Sequence, residues 1–410
     1  MPVTDKIESR IMIGERETNR GALQFLFPLV IFCCAVAATI LILKFAPAPF
    51  FWVWLTWAAA LWAGMFFLRG SWPRAILFNF GIVLCFLAGV EAYLSTNEYT
   101  TPIFPDGDFY VHDDLLGWAP PKAIEAHAIK FAPAGLLNRP SRLLFDTRYT
   151  IDPNGLRIAP PYRSDDLAGT VLFFGCSFTF GEGLKDDETL PYQVGAQSEG
   201  RYRTFNFAFE GYSPAQMLAE IEHGMVRRVV DSSPRYAYYV AIPGHVWRVA
   251  GLVSWGGHAP RYVLNADGTV HQDGYLQDRK PLHERLGIHR GVRQLKKSAI
   301  WRMLESPDSP ITDEDLRLYF AVVRRSQELL NTQYPGIQFR VILWPVRNDP
   351  TYEKLRDGFV RMGIPLDLVE DILPGFRTDR SGFILSPADH HPSAAANRLI
   401  AQHVLSEIAP

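Results

Sequence analysis

Cysteine is scarce in this chain. Of 4 cysteines in 410 residues, Cys33, Cys34 and Cys85 lie inside long apolar runs, and Cys176 stands alone in the remainder. No disulfide framework and no zinc-ligand spacing can be built from that set. Excess charge is also lacking. The 41 Lys and Arg against 43 Asp and Glu leave a formal net charge of -2, so no basic surplus points to nucleic acid. Internal repeats and low-complexity tracts are absent too, which excludes solenoids and other repeat arrays.

Apolar residue is abundant and unevenly spread. Residues 23–43, 50–68 and 75–94 form three apolar runs; the second carries Trp52, Trp54, Trp57 and Trp62, and only Asn79 and Glu91 interrupt the third. Each run is apolar on every face and about long enough to cross a bilayer. The expectation is three transmembrane helices: residues 1–21 a cytoplasmic tail and residues 22–95 a three-helix membrane anchor. Lys6, Arg10, Arg16 and Arg20 precede the first run, and Arg69 and Arg74 lie between the second and third. That bias holds the tail and second loop inside, and three crossings send everything after Ser95 outside. The expected location is the inner (cytoplasmic) membrane, multi-pass, with the large domain periplasmic or extracellular. Ala46-Pro47-Ala48 resembles a signal-cleavage site, but the run before it is longer than a signal core and two further runs would still anchor the chain.

Residues 96–168 are rich in proline and aromatics and read as an ordered collar. It includes Tyr149-Thr150-Ile151-Asp152-Pro153-Asn154-Gly155-Leu156-Arg157, a strand, turn, strand pattern. Residues 169–410 alternate strand and helix. Strands are expected near 171–174, 204–209, 236–242 and 338–346, and helices near 213–230, 311–331 and 393–408, with Thr312 as an N-cap. Such alternation implies α/β architecture: a mostly parallel sheet between two helix layers. An insertion at 252–303 holds a hairpin through Ala266-Asp267-Gly268 and a basic stretch from Arg279 to Arg302. That stretch is either a solvated face or a contact for anionic lipid or glycan.

The chemistry gathers around Thr170-Val171-Leu172-Phe173-Phe174-Gly175-Cys176-Ser177. A short apolar run reads as a buried strand, and ligands bind at the carboxyl ends of such strands. A serine hydroxyl there needs a base to remove its proton. Near the C-terminus, Asp389-His390-His391-Pro392 supplies imidazole and carboxylate together. Asp389 would hold the ring's tautomer and support the imidazolium. His390 is the alternative base, Cys176 the alternative nucleophile, and Asn348-Asp349 a displaced polar pair.

From Asp113 to the C-terminus the chain resembles the SGNH (GDSL-type) hydrolase superfamily, and within it membrane-anchored bacterial members. Gly175-Cys176-Ser177-Phe178-Thr179-Phe180-Gly181 stands where that family has its Gly-Asp-Ser block. Asn206-Phe207-Ala208-Phe209-Glu210-Gly211-Tyr212 matches the second block and Asp389-His390-His391-Pro392 the last. The resemblance implies a three-layer α/β sandwich with Ser177 as nucleophile, His391 as base and Asp389 as its partner. It also implies an oxyanion hole from the N–H groups of Ser177 and Gly211. Cys176 replaces a non-catalytic aspartate, and His245 stands where the third block has its oxyanion-hole asparagine. An imidazole N–H can fill that role.

The expected function is a membrane-anchored serine esterase, acylhydrolase or O-acyltransferase working through an acyl-enzyme on acyl esters of envelope glycans or lipids. No metal or organic cofactor is implied. The expected partners are the acyl-ester substrate, the membrane and, for transfer, an acyl-delivering membrane protein; nucleic acid is not among them. Two other classes stay open: a catalytically inactive glycan-binding module, and a structural subunit of an envelope polysaccharide assembly complex.

Overall fold

The computed structural model describes residues 26–44, 49–68, 70–95, 101–132, 142–253, 255–279, 298–301, 311–345 and 349–408. The N-terminal tail, Ala46-Pro47-Ala48, the basic stretch from Lys280 to Lys297, Arg302 and Asn348 lie outside the described residues. The chain divides into two compact units: residues 1–98, 133–141 and 286–306, and the remainder.

The first unit contains helices α1 (Leu26–Lys44), α2 (Pro49–Met65) and α3 (Ser71–Ser95). Among the described residues, α1 and α3 are long and apolar enough to cross a membrane. This corrects the expected three spans to two candidate spans. α2 has 17 residues. At 1.5 Å per residue it reaches about 26 Å, short of a hydrocarbon core of about 30 Å. Two crossings and three place the residues after Ser95 on opposite sides, so the side expected from the charge bias rests on α2. Glu91, which interrupts the third run, is buried. It accepts hydrogen bonds from Ser298 Oγ (2.8 Å), Ala299 N (2.6 Å) and Ile300 N (3.2 Å), closing the exposed N–H groups of a helical turn.

The second unit opens with two antiparallel pairs: β1 (Val111–Asp113) with β2 (Gly117–Ala119), and β3 (Ile124–Phe131) with β4 (Leu143–Ile151). Then come β5 (Gly169–Phe174), α4 (Ser177–Phe180), α5 (Leu190–Gln197), β6 (Tyr202–Asn206), α6 (Pro214–Glu222), α7 (Met225–Val229), β7 (Tyr236–Ala241) and α8 (Gly244–Val249). The hairpin β8 (Pro260–Leu264) and β9 (Val270–Tyr275) follows, with its turn at the expected Asp267-Gly268. The chain closes with α9 (Asp313–Gln333), β10 (Gln338–Leu343), α10 (Thr351–Met362), β11 (Leu366–Leu368), α11 (Val369–Ile372), β12 (Ile384–Ser386), β13 (Asp389–Pro392) and α12 (Ala394–Ile408).

Five strands form a parallel sheet in the order β11-β10-β7-β5-β6. β5 is buried at all 6 positions because both faces are covered. Leu172, Phe174, Ala237 and Tyr239 point to one core with residues of α6, α8, α9 and α10. Val171, Phe173, Tyr238 and Val240 point to the other, with residues of α5 and α12. This is the expected three-layer α/β arrangement. β6 lies on one side of β5 and the next strand, β7, on the other. The carboxyl end of β5 is therefore the point where the winding reverses, the place where sheets of this kind bind ligands.

Some boundaries differ from expectation. β6 ends at Asn206; Phe207 stays in the first core, and Ala208 and Phe209 turn away into a third core with Phe109, Tyr149 and Phe180. The helix expected over 213–230 is broken at Gly224, which adopts a φ of 69°. Thr312 caps α9 as expected, accepting from Asp315 N at 3.2 Å. The segment ahead of the sheet belongs to the same compact unit as the sheet.

Candidate active site

β5 ends at Phe174, and Gly175 turns the chain with a φ of 152°. A Cβ at Gly175 would lie 2.3 Å from Thr179 Oγ1, so no side chain fits this turn. Cys176 then N-caps the one-turn helix α4 in extended backbone, and Ser177 opens the helix. The two side chains part company. Cys176 is sealed in the core beside Phe173 and Val240, which leaves it without the exposure a nucleophile needs.

β13 pairs with β12 and presents its residues alternately. Asp389 is buried, His390 exposed and His391 partly covered. His391 Nε2 lies 2.8 Å from Ser177 Oγ, and His391 Nδ1 lies 2.5 Å from Asp389 Oδ1. Asp389 Oδ1 also accepts the His391 backbone N–H at 3.1 Å. A carboxylate only accepts, so Nδ1 carries the proton and Nε2 accepts from the serine hydroxyl. The Phe178 ring lies 5.0 Å from the imidazole and covers it.

Two further charges complete the group, and sequence reasoning missed both. Lys130 Nζ lies 2.7 Å from Glu182 Oε1 and 2.8 Å from Asp389 Oδ2, with all three side chains buried. Glu182 Oε2 is 3.4 Å from His391 Nε2. Glu182 sits five residues past Ser177, immediately after the Gly175–Gly181 block. Lys130 had a legible signal as well. On β3 the inward positions are Ala126, Ala128 and Lys130, so a lysine falls in phase with two buried alanines. Ligand atoms of Glu182, Asp389 and His391 lie within 4.8 Å of one another, a spacing a metal ion could use. The Lys130 ammonium already bridges the two carboxylates of that set.

The charges set the protonation states. Burial disfavours an ionised Asp389, but the His391 hydrogen bond and the positive charges of His391 and Lys130 outweigh it. They hold the carboxyl well below its usual range. Burial likewise disfavours the imidazolium of His391, yet Glu182 first and Asp389 second raise its proton affinity above the ordinary value, with Lys130 pulling against them. Burial also works against the Lys130 ammonium, and Glu182 and Asp389 overcome it.

The loop carrying Glu182 is pinned by Arg157, the last residue of the Asp-Pro-Asn-Gly turn segment. Its guanidinium donates to the carbonyls of Phe180 (3.1 Å), Gly181 (2.7 Å) and Leu184 (2.5 Å), and to Asp186 Oδ1 (3.0 Å). It also lies over the Tyr149 ring, 4.3 Å from its centre.

Gly211 adopts a φ of 80° in the turn after β6. Trp118 Nε1 donates to the Glu210 carbonyl at 2.8 Å and the Tyr110 hydroxyl to the Glu210 carboxylate, so the turn is held from both sides. A Cβ on Gly211 would lie 3.0 Å from the Trp255 ring and 3.1 Å from that of Trp118. Among the described residues, neither the Ser177 nor the Gly211 N–H is spent on a protein acceptor. The Ser177 N–H is free by its place in the first turn of α4.

His245 is not brought into this group. It is buried on α8, its ring stacked on Tyr239 and its Nδ1 2.5 Å from the Tyr239 hydroxyl. Tyr239 belongs to the core formed with α6, α8, α9 and α10, and the other ring nitrogen of His245, Nε2, is buried with no hydrogen-bond partner among the described residues. Burial first, and the nearby Arg248 second, hold the imidazole well below its ordinary proton affinity. Among the described residues, no hydrogen bond joins His245 to Ser177, Gly211 or His391. Asp349 is structural: its carboxylate accepts the Thr351 N–H at 2.8 Å at the start of α10.

No protein-family model and no curated protein matches the chain. Among solved structures it is similar to a member of the lipolytic G-D-S-L family from Veillonella parvula, at 16% identity over 58% of this chain and 96% of that one, with a TM-score of 0.32. It is similar to a catalytic mutant of an acetylxylan esterase from Geobacillus stearothermophilus, at 16% identity over 60% and 95% of the two chains, with a TM-score of 0.33. A family two carbohydrate esterase from Clostridium thermocellum, in complex with cellohexaose, is similar at 10% identity over 62% and 66%, with a TM-score of 0.34.

Proposed function

We propose that the chain is an SGNH-type serine hydrolase, attached to a membrane through its apolar helices, that cleaves or transfers acyl esters through an acyl-enzyme. The observation that carries this reading is the line Ser177 Oγ, His391 Nε2, His391 Nδ1, Asp389 Oδ1, with steps of 2.8 and 2.5 Å at the carboxyl end of the sheet.

Ser177 Oγ attacks the ester carbonyl carbon while its proton passes to His391 Nε2. The N–H groups of Ser177 and Gly211 receive the developing oxyanion; losing one such donor typically costs about 10²–10³ in rate. The bond to the leaving alcohol then breaks, and His391 returns the proton to the departing oxygen. Water or a sugar hydroxyl attacks the acyl-enzyme, giving its proton to His391, which hands it back to Ser177 Oγ. Hydrolysis and transfer differ only in that last acceptor. A fluorophosphonate probe tests the reading: wild-type protein should be labelled and Ser177→Ala should not. A well-folded wild type that takes no label would favour a non-catalytic glycan-binding or structural role.

The rim supports one substrate class. Trp255 is 54% exposed beside Gly211, edge-on to Trp118 and beneath the Arg248 guanidinium. An exposed indole next to the proposed oxyanion donors suits the apolar face of a sugar ring, and we place an O-acylated glycan there. Trp255→Ala should raise KM for an acetylated oligosaccharide by about 3- to 10-fold, with kcat nearly unchanged. Turnover of p-nitrophenyl acetate, which has no sugar to stack, should stay within about twofold. Equal losses on both substrates would remove the glycan assignment.

A further inference from the structure

The buried charges around the imidazole carry an inference that rests on the reading of Ser177 as nucleophile. We propose that Lys130 and Glu182 are positioning residues for the base: Lys130 bridges Glu182 and Asp389, so that one carboxylate is held at each nitrogen of the His391 ring.

The geometry gives each group a distinct task. Asp389 holds Nδ1 at 2.5 Å and Glu182 Oε2 stands 3.4 Å from Nε2, the nitrogen that faces Ser177. Lys130 lies within 2.8 Å of both carboxylates and fixes their separation. In the resting state Nε2 bears no proton, and Glu182 has nothing to accept from it. Once the Ser177 proton has moved to Nε2, the new N–H finds a carboxylate beside it. Glu182 therefore favours the imidazolium, the state that accompanies the tetrahedral intermediate, over the neutral ring. That is differential stabilisation of the kind that lowers a barrier. Lys130 opposes the imidazolium directly, but it keeps two buried carboxylates close together that would otherwise repel. Isolated buried charges of this kind are strongly disfavoured, so a three-membered group is sustained only by close mutual contact.

The groups facing His391 come from four places. Ser177 and Phe178 belong to α4, Glu182 to the loop after it, Asp389 to the ring's own strand and Lys130 to β3. Behind Glu182 lies Glu210, bonded by the Tyr110 hydroxyl, whose proton affinity burial first and Glu182 second raise well above the ordinary carboxyl value. β3 lies ahead of the sheet, so the segment before residue 169 supplies part of the site.

The test is the pH profile of kcat/KM, which reports the free enzyme's base. It uses the full chain in detergent with p-nitrophenyl acetate. In wild type the acid limb should lie above about 6.5, the ordinary imidazole value. Glu182→Gln removes an anion from Nε2 and should move that limb down by about one pH unit. Lys130→Met removes a cation and should move it up, while Lys130→Arg keeps the charge and should hold it within a few tenths. A role in folding alone would move none of these limbs in opposite directions. If Lys130→Met fails to fold, Glu182→Gln and Lys130→Arg carry the test. An unmoved or raised limb in a folded Glu182→Gln protein that still takes the fluorophosphonate probe overturns the proposal while leaving Ser177 in place. A wild type that neither takes the probe nor turns over the ester overturns both.

Discussion

Asp389→Asn should lower kcat/KM for a small ester by about 10⁴-fold without unfolding the protein. The carboxylate can only accept, and this keeps the proton on Nδ1 and leaves Nε2 bare to take the Ser177 proton. An asparagine amide in the same place can donate to Nδ1, which sends the ring proton to Nε2. The base is then blocked at the atom that must act. The imidazolium also loses the closest of its counter-charges. The variant should differ from wild type in acid as well. Asp389 has a native proton affinity below its unfolded one, so its contribution to stability is complete above about pH 3.9 and fades as pH falls through the lower native value. The difference in Tm between wild type and Asp389→Asn should therefore narrow as the buffer is taken below about pH 4. A loss of less than about tenfold in kcat/KM would mean that His391 does not depend on Asp389 for its tautomer.

Arg157→Met should be the most destabilising single change in the sheet-containing unit. The guanidinium is 2% exposed and donates to three carbonyls and one carboxylate. Methionine fills much of the volume but leaves the Phe180 and Leu184 carbonyls without a side-chain donor and Asp186 without its counter-charge, although Gly181 keeps the Leu184 N–H and Asp186 the Thr150 N–H. Breaking a buried pair in this way costs about 3–5 kcal/mol. At about 2–4 °C per kcal/mol for a large domain, Tm should fall by roughly 10 °C. Arg157→Lys should recover little, because one ammonium on a flexible stem cannot reproduce a planar fork that reaches four acceptors. Thermal unfolding of the three proteins in detergent checks this; a Tm within about 2 °C of wild type in the methionine variant would show that the 180–186 loop holds without the clamp.

These two residues illustrate what was legible in the chain. Asp389 could be read because it sits two positions from its histidine, and a local Asp-x-His pattern survives in one dimension. Ser177 could be read because a continuous apolar strand ends at it. Arg157 was visible only as the end of a turn. Its task depends on where residues 180–186 run, and nothing local records that. Lys130 is the same case at longer range: its partners are 52 and 259 positions away, and only the inward phase of β3 marked it. The β3–β4 hairpin itself escaped notice because alanines and a lysine occupy inward positions on β3, so the apolar alternation is weak. β11 is 3 residues long, too short for any periodicity. His245 is a different case. Its place in the order of blocks suggested the crevice, but the α8 backbone turns it onto Tyr239, where a stacked ring and a hydroxyl hold it. The apolar runs of the N-terminus were plain from composition. Where each helix stops was not, and 17 residues in α2 changed the count of spans.

The central claim is that the hydroxyl at the end of β5 is a nucleophile made reactive by the imidazole beside it. Mass spectrometry of the fluorophosphonate-treated protein addresses it most directly. The account predicts one adduct, on the peptide containing Ser177, formed in wild type and lost in both Ser177→Ala and His391→Ala. An adduct on another residue, or labelling of Ser177 that persists at the wild-type rate after His391→Ala, would contradict it.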